Sequence, residues 1–172
     1  FCDDDDLWLP EKLKVQLDYF SNDIIGLGTE IILIDHESKI INDRSKSNNT
    51  TLYFNDVIQF KSIPLSSMII KNTGSIFDDH NSLIAVEDFD FQLRLILNSK
   101  KPLLKLGKGL VYYRTNTSNR SSGIQQKKNS IFVINKYEKQ LSTRIRKNIY
   151  QLIYYRIAKK LMQDSQYNEA KK

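Results

Sequence analysis

Phe1-Cys2-Asp3-Asp4-Asp5-Asp6-Leu7-Trp8-Leu9-Pro10 opens the chain. Four adjacent carboxylates repel one another, so such a run needs a multivalent cation, solvent or a helix N-terminus to hold it. Apolar residues flank it on both sides, Phe1 and Cys2 before and Leu7 and Trp8 after, which predicts a strand ending in a buried acidic turn. Pro10 then stands at a first helical position. Leu13, Val15, Leu17 and Phe20 follow among charged residues, the pattern of a short amphipathic helix. The acidic run therefore falls at a helix N-terminus, where the dipole favours negative charge.

Further along, Ile24 to Gly28 and Glu30 to Asp35 are rich in β-branched residues and bounded by Gly and polar residues, so two strands are expected. His36 through Thr51 turns to Ser, Asn, Asp and Lys, the composition of a mobile surface loop. Phe54 to Phe60 predicts a short helix, stopped before Pro64. Leu65-Ser66-Ser67-Met68-Ile69-Ile70-Lys71 predicts a strand bearing two adjacent hydroxyls, with a turn at Asn72-Thr73-Gly74. Glu87-Asp88 opens a helix whose Phe89, Leu93, Ile96 and Leu97 recur at helical spacing, ending near Asn98 before Pro102. Leu103 to Leu106 and Gly109 to Tyr113 suggest two short strands, and Arg114 to Gly123 a polar loop. From Ile124 the pattern is helical: one helix marked by Ile131, Ile134, Tyr137 and Leu141, a second by Ile149, Leu152, Ile153, Ile157 and Leu161, and a third opening at Tyr167-Asn168-Glu169-Ala170. Mixed strands and helices followed by helices alone indicate an α/β body, residues 1–123, with a helical C-terminal extension, residues 124–172.

A chain of 172 residues with 40% hydrophobic content has material for a real core. Cys2 is its only cysteine, which excludes an internal disulfide and points to a reducing, cytoplasmic compartment. The most apolar stretch, Ile24 to Ile34, is interrupted by Gly26, Gly28 and Glu30, far short of the ~20 apolar residues of a spanning helix. The net charge of +6 is unevenly spread. From Lys127 onward twelve Lys and Arg face Glu138, Asp164 and Glu169, a balance of +9 that leaves −3 for the residues before. The tail, residues 127–172, is thus the expected place for a peripheral membrane or protein contact.

Three features now stand in one order: an Asp-rich run followed by Trp and a Pro-started helix, Ile63-Pro64-Leu65-Ser66-Ser67, and Val86-Glu87-Asp88-Phe89-Asp90-Phe91-Gln92-Leu93-Arg94-Leu95. With Phe77-Asp78-Asp79 and Leu110-Val111-Tyr112-Tyr113-Arg114, this set resembles the second half of the family-2 nucleotide-sugar glycosyltransferases with a GT-A fold. The resemblance extends from Phe1 to the neighbourhood of Arg114, and Tyr154-Tyr155-Arg156-Ile157-Ala158-Lys159-Lys160 is similar to helical extensions that some of these enzymes carry. It implies a partial GT-A-type mixed sheet flanked by helices and a hexosyltransferase-like enzyme of polysaccharide biosynthesis. The implied partners are a nucleotide-sugar donor and a saccharide or other hydroxyl acceptor, with no nucleic acid.

The resemblance also implies roles. Asp3-Asp4-Asp5 takes the place of the D-x-D motif, with Asp5 on a Mg²⁺ or Mn²⁺ ion that bridges the departing diphosphate, and Asp3 on the same metal or the ribose. Asp6 either supports that site or caps the following helix. Asp88 is the implied base that takes the acceptor proton, with Glu87 beside it, and a single base without a carboxylate nucleophile implies inversion at the sugar. Against this, Asp88 at a helix start also suits plain capping. Ser66 and Ser67 are placed for the donor sugar or for backbone hydrogen bonds. Arg94 either pairs with a carboxylate or is solvated. Arg114 begins the segment that such enzymes bring over the pyrophosphate, but Asn116 stands where a His is common.

Other chemistries fit less well. A haloacid-dehalogenase-type phosphatase wants Thr or Val where Leu7 follows Asp6, and an EF-hand loop wants a Gly and a closing Glu. His36 and His80 have no partner cluster for zinc, and no Gly-rich phosphate loop occurs. The family's first half, with the pocket for the nucleotide base, has no counterpart here, so weak donor binding is expected of a fragment or a remnant paired with another chain. The contrasting function is an inactive glycosyltransferase remnant that binds partners through its basic tail.

Overall fold

A computed structural model describes residues 1–46, 48–115 and 124–163. In chain order these form β1 (Leu7–Trp8), α1 (Lys12–Tyr19), β2 (Gly26–Ile34), β3 (Ile40–Asp43), β4 (Thr50–Leu52), α2 (Phe54–Val57), β5 (Ile69–Ile70), α3 (Glu87–Ser99), β6 (Leu103–Arg114), α4 (Ile124–Lys136) and α5 (Thr143–Gln163), with short 3₁₀ turns at Leu65–Ser67, Asn81–Leu83 and Glu138–Gln140. The chain is α/β: a mixed open sheet of six strands with five helices among the described residues. It divides into two compact units, one of Phe1–Ile76 with Gln92–Ser118 and one of Phe77–Phe91 with Asn119–Lys172.

The first unit holds the whole sheet. Its centre is the parallel pair β2 and β6; β1 and β4 run antiparallel along the free side of β6, and β3 and β5 along the free side of β2. A strand covered on both faces needs apolar residues at consecutive positions rather than alternation, and Leu27, Ile31, Ile32 and Ile34 of β2 are buried in that way.

Both central strands are longer than the sequence suggests. β2 runs through Gly28 and Thr29 without a break, because Gly28 is a place of close packing rather than a turn: a Cβ there would stand 2.0 Å from Ile63 Cγ2. Ile63 is held over it by a two-way amide pairing with Gln92, whose Oε1 accepts the Ile63 N–H at 3.0 Å and whose Nε2 donates to the Ile63 carbonyl at 2.9 Å. β6 likewise joins the two expected short strands, and the register with β2 jumps from Thr29↔Leu106 to Glu30↔Gly109. The residues bulged out, Gly107 and Lys108, sit where the β3–β4 connection crosses: Lys46 N–H donates to the Gly107 carbonyl at 2.6 Å, and Gly107 and Gly109 N–H donate to Asn49 Oδ1 and Ser45 Oγ. A Cβ on Gly107 would lie 2.5 Å from the Lys46 carbonyl oxygen and 2.7 Å from that of Asn48. Both are backbone atoms, so Gly107→Ala is expected to cost about 1–3 kcal/mol of stability, read as a lowered urea midpoint with an unchanged slope.

The polar stretch from His36 to Thr51, expected as a loop, contains β3 and the start of β4. Asp35 Oδ1 accepts both the Glu37 and Lys39 N–H at 2.9 Å and closes a tight turn into β3. The α1 helix begins at Lys12 with Glu11 as its N-terminal flanking residue, two positions later than Pro10 suggests. Its buried face is turned by about 100° from the expected one: Val15 and Phe20 pack against the core as expected, but Lys12 and Gln16 are buried beside them, while Leu13 and Leu17 are 44% and 65% exposed.

In the second unit α4 and α5 pack on one another, and Val133 and Ile134 of α4, Ile149 and Ile153 of α5, and Tyr137 just after α4 are buried. The first turns of α3 belong to this unit, and there Asp90, fully buried, accepts the Tyr137 hydroxyl at 2.8 Å and the Lys136 ammonium at 2.9 Å. Lys136 also meets Asp78 at 2.9 Å; burial by itself would lower its pKa, but the hydrogen bonds and charges of Asp78 and Asp90 outweigh it and hold the pKa above the usual lysine range.

Candidate functional site

The acidic run is a turn that precedes β1 rather than a strand end, and its backbone is fastened from three sides. Asp6 N–H closes the turn on the Asp3 carbonyl at 3.3 Å, and Asp3 N–H donates to Ser66 Oγ at 3.0 Å. On the other side Arg114, the last residue of β6, donates its backbone N–H to Asp6 Oδ1 at 2.9 Å and its Nε to the Asp5 carbonyl at 3.1 Å. The short β1 strand then anchors the exit by pairing Leu7 with Tyr112 and Trp8 with Val111.

Of the four carboxylates only Asp6 is buried, at 6% exposure; Asp3, Asp4 and Asp5 are exposed. The expectation of a buried acidic turn is thus corrected: one Asp serves as the root of the turn and three face solvent, which spares three anions the cost of desolvation. Asp6 does not cap α1, since its Oδ1 is spent on Arg114. Burial pushes the Asp6 carboxyl above the usual range, opposed by the nearby Ser66 hydroxyl and the Arg114 N–H, and reinforced by the charges of Asp5 and Asp3. Its Oδ2 is left buried without a hydrogen-bond partner.

Ser66 and Ser67 lie on the 3₁₀ turn Leu65–Ser67, not on a strand, because Pro64 sets up the turn and the following N–H groups fold back on it. The two hydroxyls have different employment. Ser66 touches the acidic turn as above, and its carbonyl accepts Trp8 Nε1 at 2.8 Å. Ser67 Oγ donates to the Pro64 carbonyl at 2.8 Å and accepts Thr29 N–H at 3.2 Å, a backbone-satisfied structural role. The Arg114 guanidinium reaches the carbonyls of Asp35 and His36, at 2.7 and 3.2 Å, and Ser38 Oγ at 3.0 Å, so in this state it clasps the β2–β3 turn to the acidic turn. Asn116 lies outside the described residues, as does Tyr167-Asn168-Glu169-Ala170.

Sequence reasoning missed Lys12 and Gln16. Lys12 is entirely buried; its Nζ lies 3.8 Å from the Trp8 ring centroid and donates to Gln16 Oε1 at 2.8 Å. Gln16 Nε2 in turn donates to the Ser67 carbonyl at 2.8 Å. A chain of contacts thus runs from Trp8 beside the acidic turn to the 3₁₀ turn beneath it. Spacing alone offers no signal for this, because Lys12/Gln16 and Leu13/Leu17 share the same i, i+4 relation.

Burial lowers the Lys12 pKa to about 8. A lysine whose folded pKa falls below its unfolded value of 10.5 makes folding release a proton between the two. Stability contributed through this site is therefore expected to rise as pH increases from 8 toward 10. Urea midpoints measured against pH should show this rise in the parent and lack it in Lys12→Met, which keeps the aliphatic volume.

Glu87 and Asp88 belong to the second unit, in the first turn of α3 with Asp90. Glu87 is exposed and Asp88 half-buried, with its Oδ1 accepting the Phe89 N–H at 2.7 Å. The approach to this turn is constrained: Ala85 adopts φ 64°, and the neighbouring Ile84 carbonyl accepts Asn129 Nδ2 at 2.8 Å. Arg94, further along α3, donates Nη2 to the Ile76 carbonyl at 2.8 Å.

No family model matches the chain, and no curated protein matches it.

Among the described residues no group of three or more His, Cys, Asp or Glu side chains is arranged to hold a metal. The exposed donors at the turn are hard carboxylate oxygens. That set suits Mg²⁺ or Mn²⁺ shared with substrate phosphates, which needs only one or two protein carboxylates, and does not suit a caged zinc or calcium site. No described helix is long and apolar enough to cross a membrane.

Proposed function

We propose that this chain provides the acceptor-side catalytic half of a metal-dependent inverting glycosyltransferase of GT-A type. The observation that carries the reading is the acidic turn: Asp3, Asp4 and Asp5 are exposed on a backbone fixed by Ser66 and Arg114, with Asp6 as its buried root. Immobilising the backbone while leaving the carboxylates in water lowers the entropy lost on binding a cation or a donor. The mixed α/β sheet is compatible with such a domain.

In this reading Asp5 and Asp3 hold a divalent cation, which supplies charge neutralisation to the departing nucleoside diphosphate. Asp3 also orients the donor ribose. Ser66 positions the turn, and Ser67 keeps a structural part. Arg114 holds the turn in the ligand-free state and has guanidinium donors that exchange carbonyls for phosphate oxygens when a donor arrives. Asp88 takes the proton from the acceptor hydroxyl, and its place in the first turn of α3 favours the anion it must be before that transfer. Glu87, exposed beside it, binds the acceptor.

The cation part is tested without any sugar. Titrating Mn²⁺ into the isotopically labelled chain is expected to broaden the amide signals of residues 3–6 first. Asp3→Asn with Asp5→Asn should remove that selectivity. Equal broadening in the variant, or broadening confined to other acidic residues, would sink the assignment.

A further inference from the structure

We infer that the outward face of α5 is a docking surface for an anionic lipid bilayer. α4 and α5 contain three and six Lys or Arg and no Asp or Glu. Of these cations Lys136 is engaged by Asp78 and Asp90, and Arg146 by Glu138. Arg144, Lys147 and Lys159 are exposed and make no ion pair among the described residues. At 100° per residue they fall with Tyr154, Tyr155 and Met162 on one stripe, opposite the buried Ile149 and Ile153. The stripe runs the length of a 21-residue helix, about 30 Å.

The composition of that stripe selects the partner. Tyr154, Tyr155 and Met162 are 59%, 63% and 56% exposed. Large side chains left in water in the middle of a basic face cost free energy that an acyl–headgroup boundary recovers, with the tyrosines at headgroup depth and the cations over lipid phosphates. A nucleic acid would repay the cations equally but gives a terminal thioether nothing to bury in. The inference rests on α5 alone and stands or falls independently of sugar transfer.

The test is co-sedimentation of the full chain with vesicles of phosphatidylcholine alone and of phosphatidylcholine mixed with phosphatidylglycerol, at low and high salt. Binding is expected to the mixed vesicles only and to weaken with salt. Each basic residue at an anionic surface contributes roughly a five-fold factor. Arg144→Gln/Lys147→Gln/Lys159→Gln should therefore lower partitioning on the order of 100-fold, with the helical circular dichroism retained. Tyr155→Ser/Met162→Ser should lower partitioning to vesicles and leave retention by duplex DNA unaltered. Absence of binding to mixed vesicles overturns the inference. So does a Tyr155→Ser/Met162→Ser variant that partitions like the parent, since that would make the stripe a general anion binder of the kind nucleic acids use.

Discussion

On the proposed function, and assayed in an enzyme that joins this acceptor-side half to a donor-binding half, Asp88→Asn is expected to lower kcat for sugar transfer by about 10²–10⁴-fold while the thermal unfolding midpoint stays close to that of the parent. The substitution is suited to separating the two readings of this residue. Asn retains a carbonyl Oδ1 that accepts the Phe89 N–H now bonded at 2.7 Å, so the local turn survives. What is lost is the negative charge in the first turn of α3, worth about 0.3–1 kcal/mol to the helix, and the ability to take a proton. If Asp88 acts as the base, the acidic limb of the pH–rate profile flattens in Asp88→Asn. If it only favours the helix, turnover at saturating donor stays within two-fold and the loss appears in stability alone. Glu87→Gln, at an exposed position, is the control: acceptor KM should rise while kcat holds.

Long helices were legible in the sequence because their apolar residues repeat at 3.6 and their starts carry chemical markers. Glu87-Asp88 marks the beginning of α3, α4 contains the expected Ile131 and Ile134 but stops at Lys136, short of Tyr137 and Leu141, and α5 falls where Ile149 and Ile153 recur. Strands were harder, for a reason visible at Gly28 and Gly107. A glycine in an apolar run means either that the chain turns or that something packs against it, and only the tertiary neighbour tells which. Here the neighbours are Ile63 and the carbonyls of Lys46 and Asn48, all distant in sequence. β3 was missed for the opposite reason: all four of its residues are exposed, so burial leaves no imprint of alternation on Ile40–Asp43.

The candidate site was half legible on the same logic. A run of four Asp is visible to any reader, but which of them is buried depends on Arg114, more than a hundred residues away, delivering a backbone N–H to Asp6. Ser66 and Ser67 look equivalent in sequence and are separated only by the 3₁₀ turn, which gives one hydroxyl to the acidic turn and the other to Pro64 and Thr29. Lys12 was hidden by the presumption that a lysine on a helix faces water. Its burial against Trp8 and Gln16 turns the face of α1 that meets the core, keeping Val15 and Phe20 inside and leaving Leu13 and Leu17 outside.

The inverted rule has a second instance with a larger energetic consequence, at Glu30. A carboxylate at the centre of β2, in the middle of the sheet, would be untenable alone. It is met by Lys105 from β6 at 2.9 Å and by Lys46 from the β3–β4 connection at 2.9 Å. Burial by itself would raise the Glu30 pKa, but hydrogen bonds and charge from the two lysines outweigh it and hold the carboxyl below its ordinary value of 4.5. Glu30→Ala is therefore expected to destabilise the fold by about 3 kcal/mol or more, because it strands the largely buried Lys105 ammonium, while Lys46 is mostly exposed and loses little. The sign with pH follows from the depressed pKa: this contribution is complete above the unfolded value and is lost as pH falls through the folded one. Urea midpoints of the parent should thus drop on acidification more steeply than those of Glu30→Gln. The double variant Glu30→Leu/Lys105→Met should recover most of the loss at neutral pH, since two apolar side chains of similar volume restore packing without leaving a charge behind. If the double variant is as unstable as Glu30→Ala, the cost lies in the packing of the bulge opposite Gly109 and not in the stranded ammonium.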